Sequence, residues 1–270
     1  MTEDRRISVH ELESLLDIGS GSIAAILHDS LGLRKLESRW IPHTLTPEQM
    51  AARVDWCKEM LRRFEKGRSR RGYDIVTGDE TWLYQYDPLN KRQSAEWVFP
   101  DDDPPTQVRR ARSVGKQMIA CFFARTGHVK TVLLEEHRTV TADWYVTVCL
   151  PQVFDAVKNR RPKTGTRGLL LHQDNAPAHT AGRTADFFRE QHVTNLSHPP
   201  YSPDLAPCDF FLFTRIKNSL RGHHFQSPED AVLAFEEHLN ALSDDDWKSC
   251  FSSWFTRMKL CVDAKDYVAI

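Results

Sequence analysis

The sequence predicts an α/β domain, a mixed sheet flanked by helices, preceded by a small all-α unit. Two apolar strands at residues 116–124 and 128–134, joined across Arg125-Thr126-Gly127, indicate a β-hairpin. An apolar run at residues 168–174 is typical of a strand buried on both faces. The other apolar segments mostly show helical spacing. With 270 residues, 40% hydrophobic and 27% charged, the composition is that of a globular chain of one or two domains.

The first 36 residues predict a helix-turn-helix unit. Ser8 and Glu11 form a capping box before an apolar face at residues 12, 15 and 16. A glycine-containing turn at residues 17–21 precedes a second helix, for which Gly32 is a suitable C-terminal cap. Helix, turn and helix is the outline of a DNA-binding motif, but a simple helical hairpin has the same outline, so the pattern alone leaves both interpretations open.

Residues 37–72 predict a linker and a long helix, which Thr46 caps and Pro47 begins. The α/β region extends over residues 73–270, with a long loop at about 87–113 that is rich in Pro, Asp and Arg. Its further predicted strands lie at 73–79 and 193–197, and its helices at 141–158, 180–191, 209–220, 228–242 and 245–259. This order of strands and helices matches a ribonuclease H-like core.

Composition and cysteine spacing argue against several classes of protein and of metal site. The formal net charge of −1 excludes a uniformly basic nucleic-acid protein but permits local basic surfaces. No apolar run approaches the roughly 18 residues of a membrane span, and we expect no secretory leader. The six cysteines show no zinc-finger spacing and are expected to be reduced, and a His172-Asp174-His179 zinc site is disfavoured.

Carboxylates at strand ends are the candidates for chemistry. We expect Asp79 to end the first strand and Asp174 to end the apolar strand, so both would reach one sheet edge if the strands are neighbours. Each could also be a simple turn former or helix cap. Phosphoryl transfer by two metal ions needs more oxygen ligands than two carboxylates supply. Asp204 and Asp209 are the possible third ligands, and the residue types alone do not choose between them.

Three segments resemble the mariner family of DNA transposases in the same order along the chain. They are VTGDETW at residues 76–82, HQDNAPAHT at 172–180 and HPPYSPDLAP at 198–207. The 34 residues between Asp174 and Asp209, residues 175–208, are the catalytic spacing of that family. The resemblance extends from about residue 5 to the C-terminus.

The resemblance implies a fold, a chemistry and partners. Asp79, Asp174 and Asp209 would be the catalytic residues that hold two Mg²⁺ or Mn²⁺ ions, which selects Asp209 over Asp204. The implied activity is cut-and-paste transposition: hydrolysis of phosphodiesters at transposon ends, then strand transfer into target DNA at TA sites. No organic cofactor is implied. The implied partners are double-stranded DNA and a second copy of the chain in a homodimer, with a nuclear location and no membrane association.

The resemblance also assigns DNA-binding and dimer-forming residues. The helical unit resembles the second of the family's two helix-turn-helix units, and the 87–113 loop resembles its clamp loop. The expected DNA contacts are Ser20, Ser22, His28, Arg34, Lys35, Arg39, Arg109, Arg110 and Arg112. The segment WIPHTL resembles the family's linker motif, with Trp40, Ile41, Pro42, His43 and Leu45 in the dimer or linker contact.

The family normally carries another helix-turn-helix ahead of this one, for which the sequence shows no counterpart. We therefore expect weaker recognition of the transposon end, since fewer bases are contacted. The alternative function is a remnant or domesticated protein that binds DNA or dimerises without productive transposition. A nuclease acting on RNA–DNA hybrids is disfavoured, because it would not need the helix-turn-helix.

Overall fold

A computed structural model describes residues 7–33, 44–91, 93–95, 106, 115–135 and 139–264. The chain divides into two compact units, residues 1–42 and residues 43–270. Within the described part, no helix is long and apolar enough to cross a membrane.

The described part of the first unit is entirely helical. Helix α1 (Val9–Leu16) begins with the predicted capping box of Ser8 and Glu11. Helix α2 (Ser20–Ala25) continues into a wider π turn at Ile26–Ser30. Leu12 and Ile23, one from each helix, are the buried residues of this pair. The predicted helix–turn–helix outline is confirmed.

A five-stranded mixed sheet forms the centre of the second unit. Its strands are β1 (Ile75–Tyr84), β2 (Lys116–Ala124), β3 (Gly127–Leu133), β4 (Leu170–His172) and β5 (Thr194–Leu196). The spatial order is β3-β2-β1-β4-β5, in which β1, β2 and β3 are antiparallel while β1, β4 and β5 are parallel. The predicted mixed sheet is confirmed.

Helices cover both faces of the sheet. They are α3 (Pro47–Arg63), α4 (Ala142–Trp144), α5 (Leu150–Arg160), α6 (Pro177–Thr180), α7 (Gly182–Glu190), α8 (Thr214–Leu220), α9 (Pro228–Asn240) and α10 (Asp244–Asp263). Alternate residues of β2 belong to two separate hydrophobic cores. Ile119 and Phe123 pack with α3, α8, α9 and α10, whereas Ala120 and Phe122 pack with α4, α5 and α7. Period-2 alternation of this kind places helices on both faces.

All six cysteines are buried and none forms a disulfide, in agreement with the expected reduced, packed thiols. The long predicted helix at 141–158 is interrupted. A π turn at Tyr145–Cys149 joins α4 to α5, and Pro151 lies in the first turn of α5. Proline has no backbone N–H and its ring crowds the preceding turn, so the helix widens locally.

Candidate active site

Asp79 lies inside β1, not at its end. The expectation that it ends the first strand is wrong, because β1 continues to pair with β2 as far as Tyr84. On its other side, β1 pairs with β4 only from Ile75 to Thr77. Asp79 therefore lies just beyond the last β1–β4 pair, at the edge where the chain emerges from β4. The pairing of β1 with β2 thus continues past Asp79, while the earlier end of its pairing with β4 leaves this carboxylate uncovered by β4.

Asp174 follows β4 by two residues and is held by hydrogen bonds. One carboxylate oxygen accepts from the backbone N–H of Ala176 at 3.0 Å and lies 2.7 Å from His179 Nδ1. Burial raises the pKa of Asp174, but the bonds from His179 and Ala176 outweigh it and the pKa is lowered. Asp174 is therefore a fixed, ionised carboxylate whose side chain is 47% exposed.

Asp209 lies in the first turn of a helical segment, Cys208–Phe213, that follows Pro207 and leads directly into α8. Burial, and then the charge of Asp174, raise the pKa of Asp209 to about 6, while the charge of Lys217 acts in the opposite direction. Lys217 lies on α8 and its Nζ donates to Thr81 Oγ1 of β1 at 2.5 Å. A single cation therefore links Asp209 electrostatically to the strand that carries Asp79.

The three aspartates influence one another. Burial, followed by the charges of Asp209, Glu80 and Asp174, raises the pKa of Asp79 well above its usual value. Repulsion between buried carboxylates of this kind is relieved by a divalent cation, and hard oxygen ligands suit Mg²⁺ and Mn²⁺. Within the described residues, however, no three metal-ligating side chains are close enough to hold an ion. The donor chemistry fits such ions, although the ligands are not gathered around one point.

His179 and Glu80 also lie at this site, although no sequence pattern assigned them a role in it. His179 lies between Asp174 Oδ1 and Glu80 Oε1, at 2.7 and 3.3 Å. Burial lowers the pKa of His179, but its bonds to Asp174 and Glu80 outweigh this and raise the pKa to about 10. The imidazolium thus restrains the Asp174 carboxylate. Its position five residues after Asp174, within the short helix α6, was the available signal.

His172 does not contact Asp174 through any hydrogen bond of the described residues. Its two ring nitrogens lie 2.9 Å from Thr77 Oγ1 and 3.0 Å from His198 Nδ1. Burial lowers the pKa of His172 well below its usual value, so the ring is neutral. Both ring nitrogens of His172 are therefore engaged with groups other than Asp174 and His179.

The two alternative third ligands have different surroundings. Asp204 accepts two hydrogen bonds from the Arg53 guanidinium, at 2.8 and 2.7 Å, and Arg53 is only 1% exposed. This bidentate pair ties α3 to the turn at Pro203–Leu205. Asp209 instead lines a pocket of about 470 Å³ together with Asp174 and the 199–203 loop.

The residues expected to contact DNA or a partner are only partly described. Ser20, Ser22 and His28 are exposed on the second helix of the first unit, and His28 Nδ1 lies 2.9 Å from the carbonyl of Leu33. Leu45 is buried. The other expected residues lie outside the described ranges: Arg34, Lys35, Arg39, Trp40, Ile41, Pro42, His43, Arg109, Arg110 and Arg112.

Comparison with known proteins identifies relatives across nearly the whole chain. A family profile described as a transposase (partial DDE domain) matches residues 87–167. The Mariner Mos1 transposase of Drosophila mauritiana is 30% identical over 249 residues, 91% of this chain and 70% of that protein. The human histone-lysine N-methyltransferase SETMAR is 27% identical over 266 residues; the match covers 96% of this chain but only 37% of SETMAR.

Solved structures of a mariner transposase have a fold similar to that of this chain. A pre-cleavage Mos1 transpososome has a TM-score of 0.84 and 26% identity, and the match covers all of this chain and 77% of that one. A mariner Mos1 paired-end complex with Mg has a TM-score of 0.83 and 27% identity over 98% of this chain and 76% of that one. The likeness therefore includes both sequence and fold, and the predicted ribonuclease H-like architecture is confirmed.

Proposed function

The chain belongs to the mariner family of DNA transposases, and from that membership we propose that it is a cut-and-paste transposase. The proposed reaction is metal-dependent hydrolysis of phosphodiesters at transposon ends, followed by transfer of the freed strand into target DNA at TA sites. The observation that carries the proposal is that Asp79, Asp174 and Asp209 lie at the same edge of the sheet, where the charges of Asp209 and Asp174 raise the pKa of Asp79 and the charge of Asp174 raises the pKa of Asp209.

We propose that these three carboxylates hold two Mg²⁺ or Mn²⁺ ions. When bound, such ions activate water as a nucleophile and stabilise the leaving oxygen. The protein's part is positioning. β1 fixes Asp79, the His179 imidazolium fixes the Asp174 carboxylate, and the helix after Pro207 fixes Asp209. The Mos1 paired-end complex with Mg supports the choice of metal.

The proposed partners are double-stranded DNA and a second copy of the chain, acting in the nucleus. The transpososome structure of Mos1 supports DNA as substrate. The exposed Ser20, Ser22 and His28 on the second helix of the first unit agree with a helix that enters the major groove. We retain Arg34, Lys35, Arg39, Arg109, Arg110 and Arg112 as proposed phosphate contacts, and residues 40–43 with Leu45 as the proposed dimer or linker contact.

The decisive test is cleavage of DNA that carries the terminal inverted repeat flanking the gene. We expect the full chain to nick this DNA with Mg²⁺ or Mn²⁺. Asn in place of Asp79, Asp174 or Asp209 should each slow nicking by about 10³-fold, since bound metal contributes several kcal/mol. Asp155→Asn, an exposed carboxylate on α5, is the matched control and should cut normally. Nicking that survives all three triad substitutions would reject the proposed site.

The second candidate is a protein that binds DNA or dimerises without productive transposition. It is favoured by SETMAR, where a segment similar to this chain is part of a protein named for another activity. An excision assay in cells, using a reporter interrupted by the element, separates the two functions. Efficient end-specific excision would eliminate the second candidate, whereas DNA binding without excision would favour it.

A further inference from the structure

A single loop forms one wall of the pocket that contains Asp174 and Asp209. The loop comprises residues 199–203, and the pocket has a volume of about 470 Å³. Three of its five residues are proline, which restricts the backbone before any ligand arrives. Neither the family profile nor the acidic triad assigns this loop a role.

Hydrogen bonds that are partly or fully buried hold the loop between His198 and Ser202. Asn175 Nδ2 donates to the carbonyl of His198 at 2.6 Å, and Ser202 Oγ donates to the carbonyl of Pro200 at 2.8 Å. His198 Nε2 lies 3.1 Å from the carbonyl of Ser202. A carbonyl can only accept, so this nitrogen carries the proton and donates across the loop.

The Ser202 carbonyl also determines which ring nitrogens carry protons along the series of hydrogen-bonded side chains that leads from His198 to Thr77. Burial lowers the pKa of His198 to about 4, so its ring is neutral and its Nδ1 must accept. His172 Nε2 therefore donates to His198, and His172 Nδ1 accepts from the Thr77 hydroxyl. The hydrogen bonds from Thr77 through His172 and His198 to Ser202 therefore all donate in the same direction, and they connect the loop to β1 and β4.

The loop presents one aromatic side chain to solvent at the pocket. Tyr201 lines the pocket, is 54% exposed and has a φ of +50°. This left-handed backbone is unfavourable for a bulky residue. An ordinary turn would place Gly or Asn there, so the fold retains an aromatic ring at a conformational cost. Strain of this kind concentrates where a side chain has to be aimed at a ligand.

We propose that Tyr201 is a base-stacking residue, whose ring receives a nucleobase next to the phosphodiester that Asp174 and Asp209 approach. The inference rests on the proposed function, because it takes DNA as the occupant. Every nucleobase has a π-face, so an exposed ring on a rigid loop binds it without selecting a sequence. The hydrogen bonds on either side of Tyr201 fix the backbone that carries the ring, so the loop acts as a positioning platform.

The test measures stacking and binding separately from cleavage. The probe is a duplex ending in the flanking inverted repeat, with 2-aminopurine placed in turn at each base beside the scissile phosphate. Binding by the full chain is measured with Ca²⁺, which oxygen ligands also hold. Stacking on Tyr201 should quench the fluorescence at one of these positions.

The main variant is Tyr201→Asn, because Asn tolerates a positive φ and removes the ring without disturbing the fold. It should weaken DNA binding by about 5- to 150-fold, the range for loss of one base–aromatic stack, and abolish the quenching. Tyr201→Phe keeps the ring and should match the wild type. Tyr73→Ala, which removes a similarly exposed tyrosine (49%) elsewhere in the unit, is the control and should also match it.

The outcomes separate the two claims. If the wild type cuts the repeat while Tyr201→Asn binds and quenches normally, the stacking role is overturned and the proposed function stands. If Tyr201→Phe fails like Tyr201→Asn, the hydroxyl and not the ring is required, and the stacking role is again overturned. If the wild type neither binds nor cuts the repeat, the proposed function fails and this inference with it.

Discussion

Asp204 and Asp209 are near neighbours in sequence, yet the fold gives them opposite electrostatic surroundings. Asp204 faces the buried guanidinium of Arg53, whereas Asp209 faces the negative charge of Asp174. The Asp204 carboxylate is paired with a buried cation, whereas ionisation of the Asp209 carboxyl destabilises the fold. Binding sites commonly retain such unfavourable charges, because the ligand supplies the missing counter-charge.

We predict that Asp209→Asn stabilises the metal-free protein at pH 7. The folded pKa of about 6 lies above the ordinary 3.8, so ionisation of Asp209 costs folding free energy above pH 6. Removing the charge should raise the free energy of unfolding by about 1–3 kcal/mol. The gain should shrink as pH falls from 6 and vanish below the ordinary 3.8, where the wild-type carboxyl is protonated in both the folded and the unfolded state. Urea unfolding with a chelator present measures this.

Asp204→Asn should have the opposite effect. It leaves the Arg53 guanidinium buried with an incomplete partner, so the free energy of unfolding should fall by about 3 kcal/mol. The same urea titration compares the two variants. Equal effects of Asp204→Asn and Asp209→Asn on stability would contradict the different roles assigned to these residues.

At the level of elements, a side chain of β2 packs closely against the backbone of β1. Gly78 precedes Asp79 and pairs with Phe122 of β2. A Cβ atom added to Gly78 would lie 2.1 Å from Phe122 Cδ1, and Phe122 is fully buried. The absence of a side chain at residue 78 therefore lets the Phe122 ring cover the strand beside the proposed catalytic Asp79.

We predict that Gly78→Ala destabilises the protein by about 1–3 kcal/mol through overpacking. Adding Phe122→Ala removes the clashing ring, so the double variant should lose less stability than the sum of the two single changes. Gly182→Ala is the control, because nothing lies within 4 Å of the added Cβ at the start of α7. It should be neutral or stabilising. Additive effects of Gly78→Ala and Phe122→Ala in thermal unfolding would refute the contact.

The β2–β3 hairpin contains a histidine that should make stability depend on pH. Burial, and then the charges of Arg160 and Lys130, lower the pKa of His128 to about 4. The unfolded state, with an ordinary pKa near 6.5, binds this proton more tightly. The neutral His128 therefore contributes its full share to the free energy of unfolding above pH 6.5. This contribution, about 3 kcal/mol, is lost as pH falls towards 4.

Replacing His128 by Gln should flatten that part of the stability curve between pH 6.5 and 4. Glutamine can still bond to Thr131, which His128 contacts at 2.9 Å. His238→Gln, an exposed histidine on α9, should leave the curve unchanged. A His128→Gln variant that keeps the full pH dependence would show that other groups cause it.

For the whole molecule, the two compact units have separate buried residues. Leu12 and Ile23 are buried in the first, and two cores on either side of the sheet lie in the second. A unit with its own core is expected to fold on its own. The long helix α3 belongs to the second unit, where its Cys57 and Met60, and Phe64 directly after it, join the core that contains α10.

We predict that a fragment of residues 43–270 unfolds in one cooperative transition and keeps metal-dependent nicking of non-specific DNA. It should lose preference for the terminal repeat, because Ser20, Ser22 and His28 are in the missing unit. Calorimetry and competition binding against unrelated DNA measure these properties. A fragment that retains the full preference would place end recognition in the second unit.

Sequence alone determined the element order, the mixed sheet and the aspartates to examine, because apolar periodicity and caps act over a few residues. Ser8 with Glu11 and Thr46 with Pro47 were sufficient to locate helix starts. The residue types did not choose between Asp204 and Asp209, and the family spacing did.

Only the tertiary structure decided what each side chain meets. It placed Asp79 inside a strand that is open on one side, set His179 between Asp174 and Glu80, and paired Asp204 with Arg53 across 151 positions of chain. Local sequence cannot encode such partners, because charge, burial and hydrogen bonding depend on residues that only folding brings together. The same reason explains why Tyr201, one residue of a proline-rich motif, becomes visible as an exposed ring beside the carboxylates only in three dimensions.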